Sequence, residues 1–231
     1  MNDTRDYNQI FEIFENEENE IEYFGRSLGK SAYGEVREIK LKNSVKMMTS
    51  KLVKKERDDD KMTEIKVAQE IRGNNIIKIN KVITKIINDE EYDLIIMEKV
   101  LLRDLGKLFE YYHKHNLLNL IGENTFDKKE GENTSNNLLR FFSKQIIDGL
   151  EILDRNDFVH FDIRPELLAT NNLIIKISDF SLVTKNKNDN DNDKIRIPGG
   201  TQGYLTPEYY NKEKVSNEVA RKQDCFALGS I

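Results

Sequence analysis

The chain has 231 residues, 38% of them hydrophobic and 33% charged, with a formal net charge of −5. That apolar content suffices for a real core in one large domain or two lobes, and the acidic balance argues against a broad nucleic-acid or anionic-membrane surface. The single cysteine, Cys225, excludes an intrachain disulfide and a zinc cluster; no apolar stretch follows a basic start at Met1 and no apolar run could span a bilayer, so a soluble, intracellular, cytoplasmic protein is predicted.

Residues 1 to about 20 are acidic, with Ile10, Phe11, Ile13 and Phe14 spaced like one helical face, which predicts a short docking helix. From Ile21 to Lys55 the pattern changes to short β-like runs, Tyr23 to Gly25, Glu35 to Ile39 and Lys51 to Val53, separated by glycine or polar turns: an antiparallel meander. Asp58, Asp59 and Asp60 then open a helix whose apolar side is Met62, Ile65, Val67, Ala68 and Ile71, closed by Gly73-Asn74-Asn75. Two further strand-like runs, Ile76 to Ile87 and Tyr92 to Val100, precede helical runs over Leu105–His115 and Leu138–Leu153. The polar stretch Gly122 to Asn137 between those helices reads as an exposed insertion, and Lys185 to Lys194, which has no apolar residue, as a mobile segment. His113 and His115 have no cysteine or carboxylate pair near them and read as solvated side chains.

Gly29-Lys30-Ser31-Ala32-Tyr33-Gly34-Glu35-Val36 lies between two strand-like runs. Small residues at Gly29, Ser31 and Gly34 allow backbone amides to approach phosphate oxygens, although the stretch alone reads more readily as an ordinary Gly-containing hairpin. Lys51 stands on the next strand but one, where an ammonium reaches phosphates under such a hairpin, and Glu64 on the following helix is placed to pair with it.

With these motifs in this order, the chain from about Ile21 onward resembles the eukaryotic-type protein kinase family. His160-Phe161-Asp162-Ile163-Arg164-Pro165-Glu166 resembles the catalytic loop and Asp179-Phe180-Ser181 the D-F-G motif. Leu94 to Val100 looks like the fifth strand and hinge with Met97 as gatekeeper, Gly200 to Glu208 the segment ending in A-P-E with Thr206 for Ala, and Asp224 to Gly229 the start of helix F. The resemblance implies an α+β, bilobal kinase-like fold: an N-terminal extension over 1–20, an N-lobe over 21–98 with a small antiparallel sheet and one main helix, and a mostly helical C-lobe over 99–231, incomplete and ending early in helix F. An incomplete C-lobe is expected to leave Glu208 without its distal Arg and some apolar faces uncovered.

The resemblance also implies roles. Asp162 is the base toward a protein hydroxyl, Arg164 the cation in place of the usual Lys, and Asp179 a ligand of Mg2+. Gly29, Ser31, Gly34 and Val36 would cover ATP, Lys51 braced by Glu64 would hold its phosphates, the backbones of Glu98 and Val100 would meet adenine, and Leu168 would form its floor. Thr201 in a Gly-Thr-x-x-Tyr setting points to serine or threonine substrates over tyrosine. His160 is expected to pack beneath Phe180 and not to act as a general base.

Three departures bear on activity. Leu167 stands where the family has its second metal ligand, Asn; the interval from Asp162 to Asp179 is one residue short, which a deletion of that Asn explains, and Glu166 is expected to swing into the slot as a metal ligand. Phe161 replaces the Arg that pairs with an activation-loop phosphate, and Thr184 is the only hydroxyl side chain between Leu182 and Gly200, so activation-loop phosphorylation is not expected to be the switch. Ser181 replaces the Gly of D-F-G. The leading expectation is a serine/threonine protein kinase using ATP and Mg2+ on a protein substrate, with room for a regulatory protein partner and no nucleic acid or membrane. The alternatives are a pseudokinase serving as a nucleotide-binding or interaction module and a small-molecule phosphotransferase.

Overall fold

The computed structural model describes residues 7–31, 34–55, 67, 70–100, 102–104, 106–107, 114, 134–165, 168–169, 173–185, 194–210 and 214–231. They form two compact units, one of residues 1–60 with 78–99, the other of 61–77 with 100–231.

The first unit starts with helix α1 (Tyr7–Glu17) and continues through β1 (Ile21–Ser31), β2 (Gly34–Leu41), β3 (Met48–Lys54), β4 (Ile79–Ile87) and β5 (Glu90–Met97). All neighbouring strands run antiparallel in the order β1-β2-β3-β5-β4. Asn88 and Asp89, both with positive φ, make the two-residue turn between β4 and β5, where short polar side chains tolerate the left-handed region. Alternation along the strands then divides the sheet's residues between two faces. On one face Leu52, Leu94, Ile96 and Ile39 pack with Phe11 and Phe14 of α1 in a single core. Lys51, next to Leu52 and opposite Val36 and Ile95, belongs to the other face. The predicted docking helix is thus part of this unit's core: Phe11 is 1% exposed and Phe14 fully buried. Ions fasten its C-terminal end, with Lys85 between Glu17 and Glu18 at 2.8 and 2.9 Å, and the Glu15 carboxylate accepts the Phe24 amide at 3.0 Å.

The second unit holds β6 (Leu102–Asp104), α2 (Thr134–Arg155), β7 (Phe158–Val159), β8 (Leu168–Ala169), β9 (Ile175–Lys176), β10 (Thr184–Lys185), β11 (Ile195–Arg196), β12 (Lys214–Val215) and α3 (Asn217–Gly229). Its strands are short and pair as β6-β8-β9, β10-β7 and β11-β12. The helix expected over Leu138–Leu153 starts earlier, at Thr134, so the last residues of the polar stretch Gly122 to Asn137 are helical; threonine, serine and asparagine suit a helix's opening turn as well as a loop. Lys185, expected in the mobile segment, pairs with Phe158 across β10 and β7 and holds Glu70 at 2.8 Å. Of the helix expected after Asp58, Val67 and Glu70 are helical and the Val67 carbonyl accepts the Ile71 amide; residues 58–66, 68 and 69, like most of Leu105–His115 and residues 186–193, lie outside the described residues. Residues 75–77 are tied to β9 and its flank: Asn75 donates to the Ile175 carbonyl at 3.1 Å and its own carbonyl accepts the Ile177 amide at 2.8 Å. No described helix is long and apolar enough to cross a membrane.

Truncating a fully packed phenylalanine costs about 3–5 kcal/mol. Phe14→Ala is therefore expected to lower the free energy of unfolding by that amount, read from denaturant titration, although Phe14 stands outside the strands of the sheet.

Candidate active site

In the first unit, Ser31 and Gly34 pair at the tip of the β1–β2 hairpin. Gly34 has φ of 155°, and a Cβ there would lie 2.0 Å from the Leu52 carbonyl oxygen, so glycine is required by the approach of β2 to β3. At Gly29 a Cβ would meet nothing within 4 Å. Val36 is half-buried opposite Lys51, which is 7% exposed. Glu64, its expected partner, lies outside the described residues. Glu98 follows β5, where its amide donates to the Lys78 carbonyl at 2.9 Å and its carboxylate accepts the Lys78 amide at 2.8 Å. The Glu98 N–H is therefore committed to the Lys78 carbonyl.

The hairpin also carries a carboxylate that sequence reading passed over. Glu35 is fully buried; its Oε1 accepts from Arg37 Nε at 2.8 Å and Lys30 makes an ion pair with Oε2 at 3.1 Å. Burial by itself would raise this carboxyl, but hydrogen bonds from Arg37, Lys30 and Ser27 outweigh it and hold the group below the ordinary carboxylate range.

In the second unit the loop 160–164 is built around Asp224 of α3. Its carboxylate, 6% exposed, accepts the amides of His160 at 2.7 Å and Phe161 at 2.9 Å. Burial pushes the Asp224 carboxyl up, against the pull of the His160 ring and the two amides. His160 Nδ1 accepts the Asp162 amide at 3.3 Å, which puts the ring proton on Nε2, facing the Ser178 carbonyl at 3.1 Å. Its ring meets Phe180 edge-on at 5.7 Å, the packing expected for it. Asp162 is thereby presented with two partners: Thr201 Oγ1 donates to Oδ1 at 2.5 Å, and Arg164 Nε lies 3.3 Å from Oδ2. A carboxylate so held can accept a hydroxyl proton while a fixed cation stands beside it.

Asp179 has left-handed backbone, φ 63°, and its Oδ1 accepts the Ser181 hydroxyl at 2.9 Å. The serine found in place of glycine thus anchors the neighbouring carboxylate. A carboxylate oxygen donor suits a hard divalent cation, so Asp179 fits the role of metal ligand; Glu166 and Leu167 lie outside the described residues, and of Leu168 only its place in β8 is described. Val100 begins the longer segment, 100–231, of the second unit.

Phe161, where the family has Arg, is 1% exposed and packs 5.7 Å from the Tyr209 ring, in a cluster with Leu182, Ile195, Val215 and Ala220. Thr184 is half-buried in β10 and its hydroxyl reaches back to the Leu182 carbonyl at 3.4 Å. Gly200, φ 147°, passes so near this loop that a Cβ would lie 3.0 Å from the Phe161 carbonyl and 2.5 Å from Leu205. Gln223, fully buried, clamps the same segment: its amide oxygen accepts the Thr206 amide at 3.0 Å and its nitrogen donates to the Tyr204 carbonyl at 2.7 Å. No sequence signal marked Gln223 beyond its place before Asp224. The hydroxyls of Thr206 and Tyr209 are buried without a partner among the described residues, and burial together with the charges of Asp224 and Glu208 pushes the Tyr209 phenol up.

Comparison with known proteins agrees with this geometry. The protein kinase domain family model matches residues 23–231. A probable serine/threonine-protein kinase of Dictyostelium discoideum is 27% identical over 89% of this chain and 28% of its own length. Serine/threonine-protein kinase chk-1 of Caenorhabditis briggsae is 29% identical over 83% of the chain and 36% of its own length. Myosin light chain kinase 2 of Oryctolagus cuniculus is 25% identical over 89% and 30% respectively. The chain thus spans about a third of the length of these curated relatives.

A guanidinium forced into the Phe161 site would be a buried, unpaired charge, which costs about 3–5 kcal/mol. Phe161→Arg is expected to lower thermal stability accordingly and not to create a phosphate-responsive switch. For Glu35 the depressed folded pKa means that its charge stabilises the fold above the unfolded pKa and that this contribution is lost as pH falls through the folded one. Glu35→Gln should therefore flatten the acid limb of a melting-temperature profile measured against pH.

Proposed function

From the premise that this chain belongs to the protein kinase domain family, we propose that it is a serine/threonine protein kinase that transfers the γ-phosphate of ATP to a protein hydroxyl. The observation that carries the reading is the Asp162 carboxylate, held by Thr201 and Arg164 on a loop whose backbone Asp224 grips. Asp162 orients the substrate hydroxyl and takes up its proton as the oxygen attacks phosphorus. Arg164 stays beside Asp162 and balances the charge gathering on the transferring group. Thr201, by donating to the same carboxylate, fixes the segment 200–208 to the base, so that a protein substrate lying on that segment presents its hydroxyl to Asp162.

Lys51 is the cation for the nucleotide phosphates, beneath the hairpin of Gly29, Ser31, Gly34 and Val36. Glu64 would steady it, while the Val100 backbone and Leu168 would receive adenine. Asp179, with Glu166 in place of the missing Asn, would hold Mg2+, which when bound neutralises charge on the phosphates. Glu98 would contribute to the adenine site through backbone other than its engaged amide. The boundaries 21–98 and 99–231 stand as proposed lobes, with 1–20 as the extension that carries α1.

Leu167 favours a second reading, a pseudokinase that binds nucleotide and transfers little or no phosphate. The two part in one assay: transfer of labelled γ-phosphate from magnesium-ATP to a basic protein substrate, with Asp162→Ala as the comparison. Loss of a positioned base lowers such rates by about 10²–10⁴-fold, and a drop of that size is the expected result. A folded chain that ATP stabilises against heat, with no transfer before or after the change, would establish the pseudokinase.

A further inference from the structure

The family match begins at residue 23, yet α1, which precedes it, reaches the strand that closes the glycine-rich hairpin through the side chain of Arg37. Arg37 of β2 sits between the two. Its Nε donates to the buried Glu35 at 2.8 Å, its terminal nitrogen donates to the Asn8 side-chain oxygen, and its guanidinium lies 4.3 Å over the Phe11 ring. Glu35 in turn faces Lys30 across the hairpin, and Arg37 faces Ser27, so the cluster spans both strands just below the tip. The other end of α1 is fixed by Lys85 with Glu17 and Glu18, and by Lys81 with Glu20 on the linker that follows it.

These contacts have unequal consequences. A buried Glu35 carboxylate that loses the Arg37 guanidinium keeps only Lys30 and Ser27 as partners, and a buried charge so weakly compensated is relieved when the backbone carrying it moves toward water. The backbone that carries Glu35 is the phosphate-covering hairpin. An arginine stacked on an aromatic ring and held by an amide oxygen keeps its guanidinium in one place, and here both anchors belong to α1.

We propose that Arg37 is a positioning residue through which docked α1 holds the glycine-rich hairpin in the conformation that receives nucleotide phosphates. The phosphate half of this inference rests on the ATP-binding reading above. Undocking of α1 frees Arg37, Glu35 follows, and the hairpin loosens while the rest of the sheet keeps its register. The N-terminal helix thereby governs phosphate affinity without touching nucleotide.

The test uses the full chain with Arg37→Met, which keeps the aliphatic stem, and Asn8→Ala, which leaves the Glu35–Arg37 pair in place. Amide hydrogen exchange at residues 27–31 and 34–37 is compared with that at 158–163, and affinities for ATP and for adenosine are measured in parallel. Arg37→Met is expected to exchange about tenfold faster in the hairpin alone and to lose about tenfold in ATP affinity with adenosine unchanged, and Asn8→Ala to move both in the same direction by less. Hairpin exchange at the wild-type rate would overturn the proposal, as would parallel loss of ATP and adenosine, the mark of a merely structural residue. A wild-type chain that binds neither nucleotide would overturn the ATP-binding reading and the phosphate half with it, and the exchange rates would still decide whether α1 and the hairpin are coupled.

Discussion

One buried carboxylate organises the second unit. Asp224 is withdrawn from water, and a charge in that position is tolerable only where hydrogen-bond donors replace the lost solvent. It finds them in two consecutive amides, those of His160 and Phe161, which can converge on one carboxylate only because the chain turns sharply between them. Phe161 accordingly has φ of 67°, a costly conformation for an aromatic residue. The two amides and the burial of its ring hold it there. Everything chemical in the loop follows from this turn: the tautomer of His160, the direction of Asp162, and the nearness of Gly200 and Thr201.

The departures from the family pattern have different physical characters. Phe161 exchanges a charged contact for an apolar one and joins the cluster of Leu182, Ile195 and Tyr209. Ser181 gives up glycine's backbone freedom but adds a donor to Asp179. Thr206 has no such compensation, since its hydroxyl is buried without a partner among the described residues, a burden of about 1–3 kcal/mol. Rigidity in the first unit has another source, a sheet covered on one face by α1 and tied to it by ions at both ends.

Much of this was legible in the amino-acid sequence because the signals are periodic or local. The 3.6-residue spacing of Ile10, Phe11, Ile13 and Phe14 marked α1, and the β-like run Lys51 to Val53 marked β3. Order along the chain identified Asp162, Asp179 and Asp224 together. Three kinds of feature escaped. β6 is too short to show a period. The start of α2 lies in polar residues that serve a helix N-terminus as readily as a loop. Gln223 and Arg37 depend on partners far along the chain, and neither a buried glutamine nor one arginine among 36 basic residues announces that partner. Gly34 was found for one reason and is required for another: phosphate approach suggested it, and the Leu52 carbonyl excludes any side chain there.

Local and distant pairings both occur in each unit. In the first, β1, β2 and β3 pair as near neighbours, whereas β3 with β5, and Lys85 with Glu17 across 68 positions, wait for the chain that follows. The clamp of the second unit joins residues 64 and 63 positions apart. During synthesis, His160 and Phe161 therefore leave the ribosome well before the carboxylate that receives their amides, and a left-handed aromatic residue has nothing to hold it in the interval. The loop that carries Asp162 is thus a late product of folding, set only when Asp224 arrives, whereas the hairpins β1–β2 and β2–β3 can form from local contacts while translation is still in progress.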